Sequence, residues 1–183
     1  MKPHQSGTRR GTSQKPDNPL DQISQEHLRQ REVCATLDRL ASLERPDPEL
    51  AAGVLPHFDT LLARHVHDEE DDLFPLLRQR SEPGDDINDT LDRLTRKHGV
   101  SLELAVGVRE ILREMVSNKT LPDADEARAL IGFAAHERRH LIVENAIVLP
   151  LARVRLTATD LTKLSTRMAQ RRKSTDAKEP GDA

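Results

Sequence analysis

The chain has 183 residues, of which 36% are apolar, 32% charged and 2% aromatic, with no Trp or Tyr and a net charge of −3. That length suits one hydrophobic core with short ends, and a composition rich in Leu, Ala, Arg and Glu favours helices over sheet. One cysteine, Cys34, excludes an internal disulfide and fits a reducing, cytoplasmic setting, while a polar N-terminus and the lack of any 18-residue apolar run exclude a secretory signal and a membrane span.

Residues 1–16 mix Gly, Ser, Thr, Lys and Pro without periodicity and are expected to be a disordered tail. Asn18-Pro19-Leu20-Asp21 supplies an N-cap, a proline at the first helical position and an acid in the first turn, so a first helix is predicted from there to about Leu43. Arg45-Pro46-Asp47-Pro48 breaks it and starts a second helix to about Gln79, with a kink expected at Pro56. After the turn Ser81-Glu-Pro-Gly-Asp-Asp86, a third helix covers roughly 86–116 and a fourth roughly 123–154. Thr159-Asp160 can cap a short fifth helix to about Gln170, and the last dozen residues read as frayed.

Short connections between long helices imply antiparallel neighbours. The expected fold class is all-α, an up-down-up-down four-helix bundle over residues 17–156, with flexible tails at 1–16 and 157–183. Charge follows the same division: +3 over residues 1–17, +4 over 153–183 and −10 between them. An acidic middle favours cation capture. The basic ends lack the aromatic interleaving of a nucleic-acid binder, so no nucleic-acid partner is expected.

Within the middle, one pattern occurs twice. His65-Val-His-Asp-Glu69 and His140-Leu-Ile-Val-Glu144 each place a histidine four residues before a glutamate and ten before a proline, Pro75 and Pro150. Positions i and i+4 share a helix face, so each pair aims an imidazole and a carboxylate at one spot, a donor set suited to iron, zinc or manganese. Counting along the helices brings further histidines to that level. His27 lies about 19 residues before the middle of the first loop and His65 about 19 after it, so at about 1.5 Å per residue both legs span about 28 Å. The second loop matches His65 to His98 and the third matches His98 to His140 in the same way. Four histidines, one per helix, fall in one layer.

They also interrupt apolar stripes. The first helix reads Leu20, Ile23, His27, Cys34, Leu37; the second Phe58, Leu62, His65, Glu69, Leu73, Leu76; the third Ile87, Leu91, Leu94, His98, Leu102, Ala105, Leu112; the fourth Phe133, His140, Glu144, Ile147, Leu151. Buried carboxylates at Glu69 and Glu144 require compensation by pairing or by a metal. The candidate ligands are therefore His27, His65, Glu69, His98, His140 and Glu144; a metal-free His–Glu network is the bland alternative. His57 and His136 are candidates for lining or supplementing the site. His67 with Asp71 falls on the solvent side, Glu70 reaches at most the site's edge, His4 sits in the tail, and Cys34 reads as a small buried hydrophobe.

With these residues placed, residues 18–154 resemble the hemerythrin-like, or HHE cation-binding, family. His27, His65-x-x-x-Glu69, His98 and His140-x-x-x-Glu144 are similar to its H…HxxxE…H…HxxxE arrangement, and Leu73-Phe74-Pro75 and Leu149-Pro150 to the motif closing its metal helices. The resemblance implies a four-helix bundle holding two non-haem iron ions, oxo- or hydroxo-bridged. His27 and His65 would hold one, His98 and His140 the other, with Glu69 and Glu144 bridging. The oxygen carriers of the family place a histidine four residues after the third-helix histidine; here that position is Leu102, so the resemblance points away from reversible oxygen carriage. A small ligand, O₂, NO or peroxide, is the implied partner, with any redox or regulatory protein partner unidentified. No catalytic residue can be named. An iron-dependent enzyme of peroxide disproportionation or iron-centre repair and a metal-free interaction module are the alternatives. The Glu-x-x-His pattern of ferritin-like oxidases occurs once, at Glu137 and His140, which argues against that class.

Overall fold

The computed structural model describes residues 18–176; the N-terminal tail expected over 1–16 and the last residues of the expected C-terminal tail, 177–183, lie outside it. Among the described residues the chain forms five helices and no strand. Helix α1 is Pro19–Leu40, α2 spans residues 48–80, α3 is Ile87–Asn118, α4 spans residues 124–155 and α5 is Ala158–Asp176. The starts follow from local chemistry. The Asn18 side chain accepts from the Leu20 N–H and Asp47 from the Leu50 N–H, each ahead of a proline at the first helical position. Asp123 and Glu126 close a reciprocal capping box at α4. Helix α1 lies along α4, α2 and α4 each along α3, and α5 along α1 and the middle of α2.

Neither α2 nor α4 is a regular α-helix. The α-helical segments of α2, Pro48–Pro56, Leu62–Asp68 and Phe74–Arg80, are separated by π-helical turns at His57–Leu61 and Glu69–Leu73. In α4, Ala124–Val143 and Leu149–Arg155 flank a π-turn at Glu144–Val148. The kink expected at Pro56 is thus a widened turn just after it. The prolines that follow the two glutamates explain the other pair. In an α-helix, Pro75 would press its ring against the Asp71 carbonyl and offer it no N–H. Widening the turn hands the Phe74 N–H to the Glu69 carbonyl, and the Leu149 N–H to that of Glu144.

The inserted residue rotates everything beyond it. Regular spacing assigns Ile147 to the core, yet it is 44% exposed and Val148 is buried in its place. After Glu69, Leu77 takes the fully buried position expected of Leu76, which is only half-buried. Leu102 in α3 is also exposed, because the buried positions there step from His98 to Ser101 and then Ala105. Ser101 can be inside because its hydroxyl donates to Glu137 of α4 at 2.5 Å.

The core has two apolar clusters. One gathers residues such as Leu20, Leu73, Leu77, Leu91, Leu94 and Val148. The other gathers Leu37, Phe58, Leu62, Leu112, Leu130 and Phe133. Helix α5, longer than the short helix expected in the C-terminal stretch, joins the first cluster through Leu164 and Met168, both buried. Thr157 and Asp160 cap it with reciprocal bonds, and Arg80 grips Asp160 from the end of α2. Leu164→Ala should therefore lower stability by about 2–5 kcal/mol, as in a core site. Val154→Ala, at a 74% exposed position, should change it by less than about 0.5 kcal/mol. Urea denaturation of both variants checks the contrast.

Candidate metal centre

Four helices deliver six polar side chains to one layer, all buried: His27 from α1, His65 and Glu69 from α2, His98 from α3, His140 and Glu144 from α4. Their donor atoms form two groups, His27, His65, Glu69 and Glu144 on one side and Glu69, His98, His140 and Glu144 on the other, with the atoms of each group within 4.8 Å of one another. Both carboxylates belong to both groups. Glu69 lies 3.5 Å from His27 Nε2, 3.7 Å from His65 Nε2 and 3.3 Å from His98 Nε2. Glu144 lies 3.4 Å from His27 Nε2, 3.4 Å from His98 Nε2 and 2.6 Å from His140 Nε2. The histidines are in turn close, with ring centroids 5.0 Å apart for His27 and His65 and 4.5 Å for His98 and His140.

Proximity does not amount to hydrogen bonding. Ten buried side-chain N and O atoms among the described residues lack a hydrogen-bond partner, and nine belong to these six residues. They include both oxygens of Glu69 and of Glu144 and the Nε2 atoms of His27, His65 and His98. A buried polar atom left without a partner costs about 1–3 kcal/mol, and a core that concentrated nine without compensation would be hard to sustain. Cations placed among the glutamates would satisfy seven of the nine together, all but the Nδ1 atoms of His27 and His140. The donor set, imidazole nitrogen and carboxylate oxygen, is chemically suited to divalent transition metals.

Behind this layer stand two more carboxylates. His65 Nδ1 lies 3.1 Å from Glu26 Oε2, and His98 Nδ1 lies 2.7 Å from Glu70 Oε1. Such outer partners set which ring nitrogen faces a metal and how strongly it donates. Glu70 was expected only at the edge; Glu26 was not singled out at all. The missed signal is adjacency: each follows or precedes an inward residue by one position, about 100° round its helix, and so meets the imidazole of a neighbouring helix. His27 and His140 have no partner at Nδ1.

The remaining histidines fall outside both groups. His136 Nε2 is 3.3 Å from the Lys97 carbonyl, and His67 pairs with Asp71 on the exposed face. His57 is buried beside a small pocket shared with Glu26, Gln30 and His65; burial, helped by the nearby His65 charge, pushes its pKa down to about 4. Burial, with the Glu137 charge added, pushes the Cys34 thiol up to about 12, which leaves it unreactive.

A family model covers most of the described helices. Residues 18–152 match the hemerythrin HHE cation binding domain. The chain belongs to that family. No curated protein shows significant similarity to the chain. Metal-cation binding is the property of HHE domains, and the buried His and Glu groups of this one are able to hold metal. The matched region stops before α5. Among the described residues no helix is long and apolar enough to cross a membrane.

Without metal, charge pairing holds the layer together. Burial alone would lower the pKa of His65, but Glu69 and Glu26 outweigh it and hold it up at about 9. For His98, the adjacent carboxylates of Glu144 and Glu69 outweigh burial in the same way, to about 11. Glu26 is held down at about 2, against burial, by His65 and Arg172. The histidine contribution is complete below about pH 6.5 and is lost as pH rises through the folded values; that of Glu26 is complete above about 4.5 and is lost as pH falls through about 2. The chelated protein should therefore melt highest between about pH 4.5 and 6.5, with the melting temperature falling from pH 6.5 to 9. Metal uptake requires neutral imidazoles, so its affinity should rise over that same range; calorimetric scans with and without metal check both signs.

Proposed function

We propose that this protein binds two non-haem iron ions and uses them to bind, sense or react with a small molecule such as O₂, NO or peroxide. His27 and His65 hold one ion, His98 and His140 the other, and Glu69 and Glu144 are shared between them, with the oxo or hydroxo bridge that the family resemblance implies. The observation that carries this reading is the pair of overlapping four-residue groups, whose common members are two carboxylates with all four oxygens otherwise without partners. One ion could not use both groups; two ions sharing two anions leave every inward donor satisfied. On this reading α1–α4 form the family's up-down-up-down bundle, and the protein works in the cytoplasm.

Bound iron supplies a one-electron couple and coordination positions left open by a protein donor set of two imidazoles and two shared carboxylates. The chain's own contribution is enclosure. Apolar clusters close both ends of the layer, and Phe74 stacks on the His98 ring at 5.8 Å. A small ligand fits such a setting, whereas a bulky substrate would have to unpack the core. The absence of tyrosine rules out phenolate ligation and a tyrosyl radical.

Anaerobic Fe(II) titration of the chelated protein tests the reading, with a sharp break expected at two ions per chain. A break at one, or none, overturns it in favour of a mononuclear site or a metal-free core. Glu69→Gln removes a charge common to both groups and should weaken uptake of both ions, not of one. Rapid mixing of the reduced protein with O₂, NO and hydrogen peroxide, followed optically, then identifies the ligand.

A further inference from the structure

Helix α5 lies beyond the matched HHE region, yet it reaches the centre. Its inner face carries three arginines over acidic residues of α1 and α2. Arg167 donates to Asp72 at 2.9 Å, and Arg171 donates to Asp68 and, at 2.9 Å, to Asp72. Arg172 donates to Asp68 Oδ2 at 2.8 Å and to Glu26 Oε1 at 2.7 Å. The other oxygen of Glu26 is the one facing His65 Nδ1 at 3.1 Å. Arg172, Glu26 and His65 therefore form one line from α5 to an inward-facing imidazole, and both Arg172 and Glu26 are nearly buried, where screening is weak.

The matching position on the other side is built differently. His98 Nδ1 lies 2.7 Å from Glu70 Oε1, and the Glu70 side chain is 29% exposed, open to water. A carboxylate that accepts from the outer N–H of an imidazole draws that proton away and makes the inner nitrogen a stronger donor. A guanidinium bonded to the same carboxylate takes up part of its charge and weakens that pull. The two metal positions have equivalent inward residues, two histidines and the same two glutamates. Their outer shells are not equivalent.

We propose that Arg172 is a positioning residue that acts through Glu26 to make the two metal positions electronically unlike, so that the ion held by His27 and His65 is the more readily reduced of the two. Helix α5 is the source of that asymmetry. The inference rests on the two-ion reading above and adds to it which ion gains the first electron.

Loading with Zn(II), which is redox-silent, separates the two questions. Metal content gives the number of sites, and proton NMR reads the Nδ1–H signals of His65 and His98, assigned through Glu26→Gln and Glu70→Gln. In the wild type the His65 proton should resonate upfield of the His98 proton, as the weaker hydrogen bond. Arg172→Met should move the His65 signal downfield and leave His98 in place, and Arg172→Lys should restore it in part. In the di-iron protein, Arg172→Met should narrow the gap between the two one-electron midpoint potentials by lowering the higher one. Two zinc ions per chain with an unmoved His65 signal and an unchanged gap would overturn the inference and leave the metal site standing. Fewer than two metals in the wild type would instead overturn the two-ion reading. Arg167, Arg171, Leu164 and Met168 still hold α5 in Arg172→Met; circular dichroism and melting establish that it folds. Should it not fold, Arg172→Lys decides the matter: a smaller downfield shift of the His65 signal alone supports the inference, and an unmoved signal overturns it.

Discussion

A layer of ionisable groups divides the hydrophobic core, and the rest of the structure is arranged around what that layer needs. Six side chains that would each be expensive to bury alone occupy the level where two apolar clusters would otherwise merge. Their mutual attraction stabilises the layer as a set: two imidazoles held protonated in the absence of metal balance two carboxylates held ionised. The same groups are the ones that could hold metal. Protons and metal ions thus compete for one set of lone pairs, and occupancy by either keeps the interior neutral enough to persist.

Delivering donors from four helices to one level demands accurate helical phase, and prolines contribute to it. Pro75 and Pro150 widen the turns that begin at Glu69 and Glu144, which places a π-turn on each shared carboxylate and resets the core face beyond it. Both glutamates stand at the junction between regular helix and widened turn. The same backbone irregularity thus stands at both candidate carboxylates, once in each half of the chain.

The layer itself was legible in the sequence because it rests on two robust quantities, the rise per residue and the length of each loop. These brought His27, His65, His98 and His140 to one height, and i,i+4 spacing added Glu69 and Glu144. Stripe positions beyond the glutamates were not legible, since counting by 3.6 has no way to anticipate one extra residue; Ile147 and Leu76 were misplaced for that reason. The proline ten residues after each histidine was visible, but its mechanical effect was not. Glu26 escaped notice because its role depends on the neighbouring helix, and sequence spacing within α1 says nothing of that. The length of α5 was underestimated for a related reason: its polar composition looks like a tail until Asp68, Asp72 and Glu26 are placed opposite its arginines.

The chemistry of Cys34, together with what the sequence lacks, bears on where an oxidising equivalent can travel. The chain has no tyrosine or tryptophan, and its one thiol stays protonated far above neutral pH. Those three side chains are the usual stepping stones for electron holes in proteins, since each yields an electron and a proton at accessible potentials. Of the three, the core around the layer holds only the buried Cys34 thiol. If the layer holds iron as proposed, oxidising power generated there would find few such stepping stones in the surrounding matrix before a small molecule or an external donor discharged it.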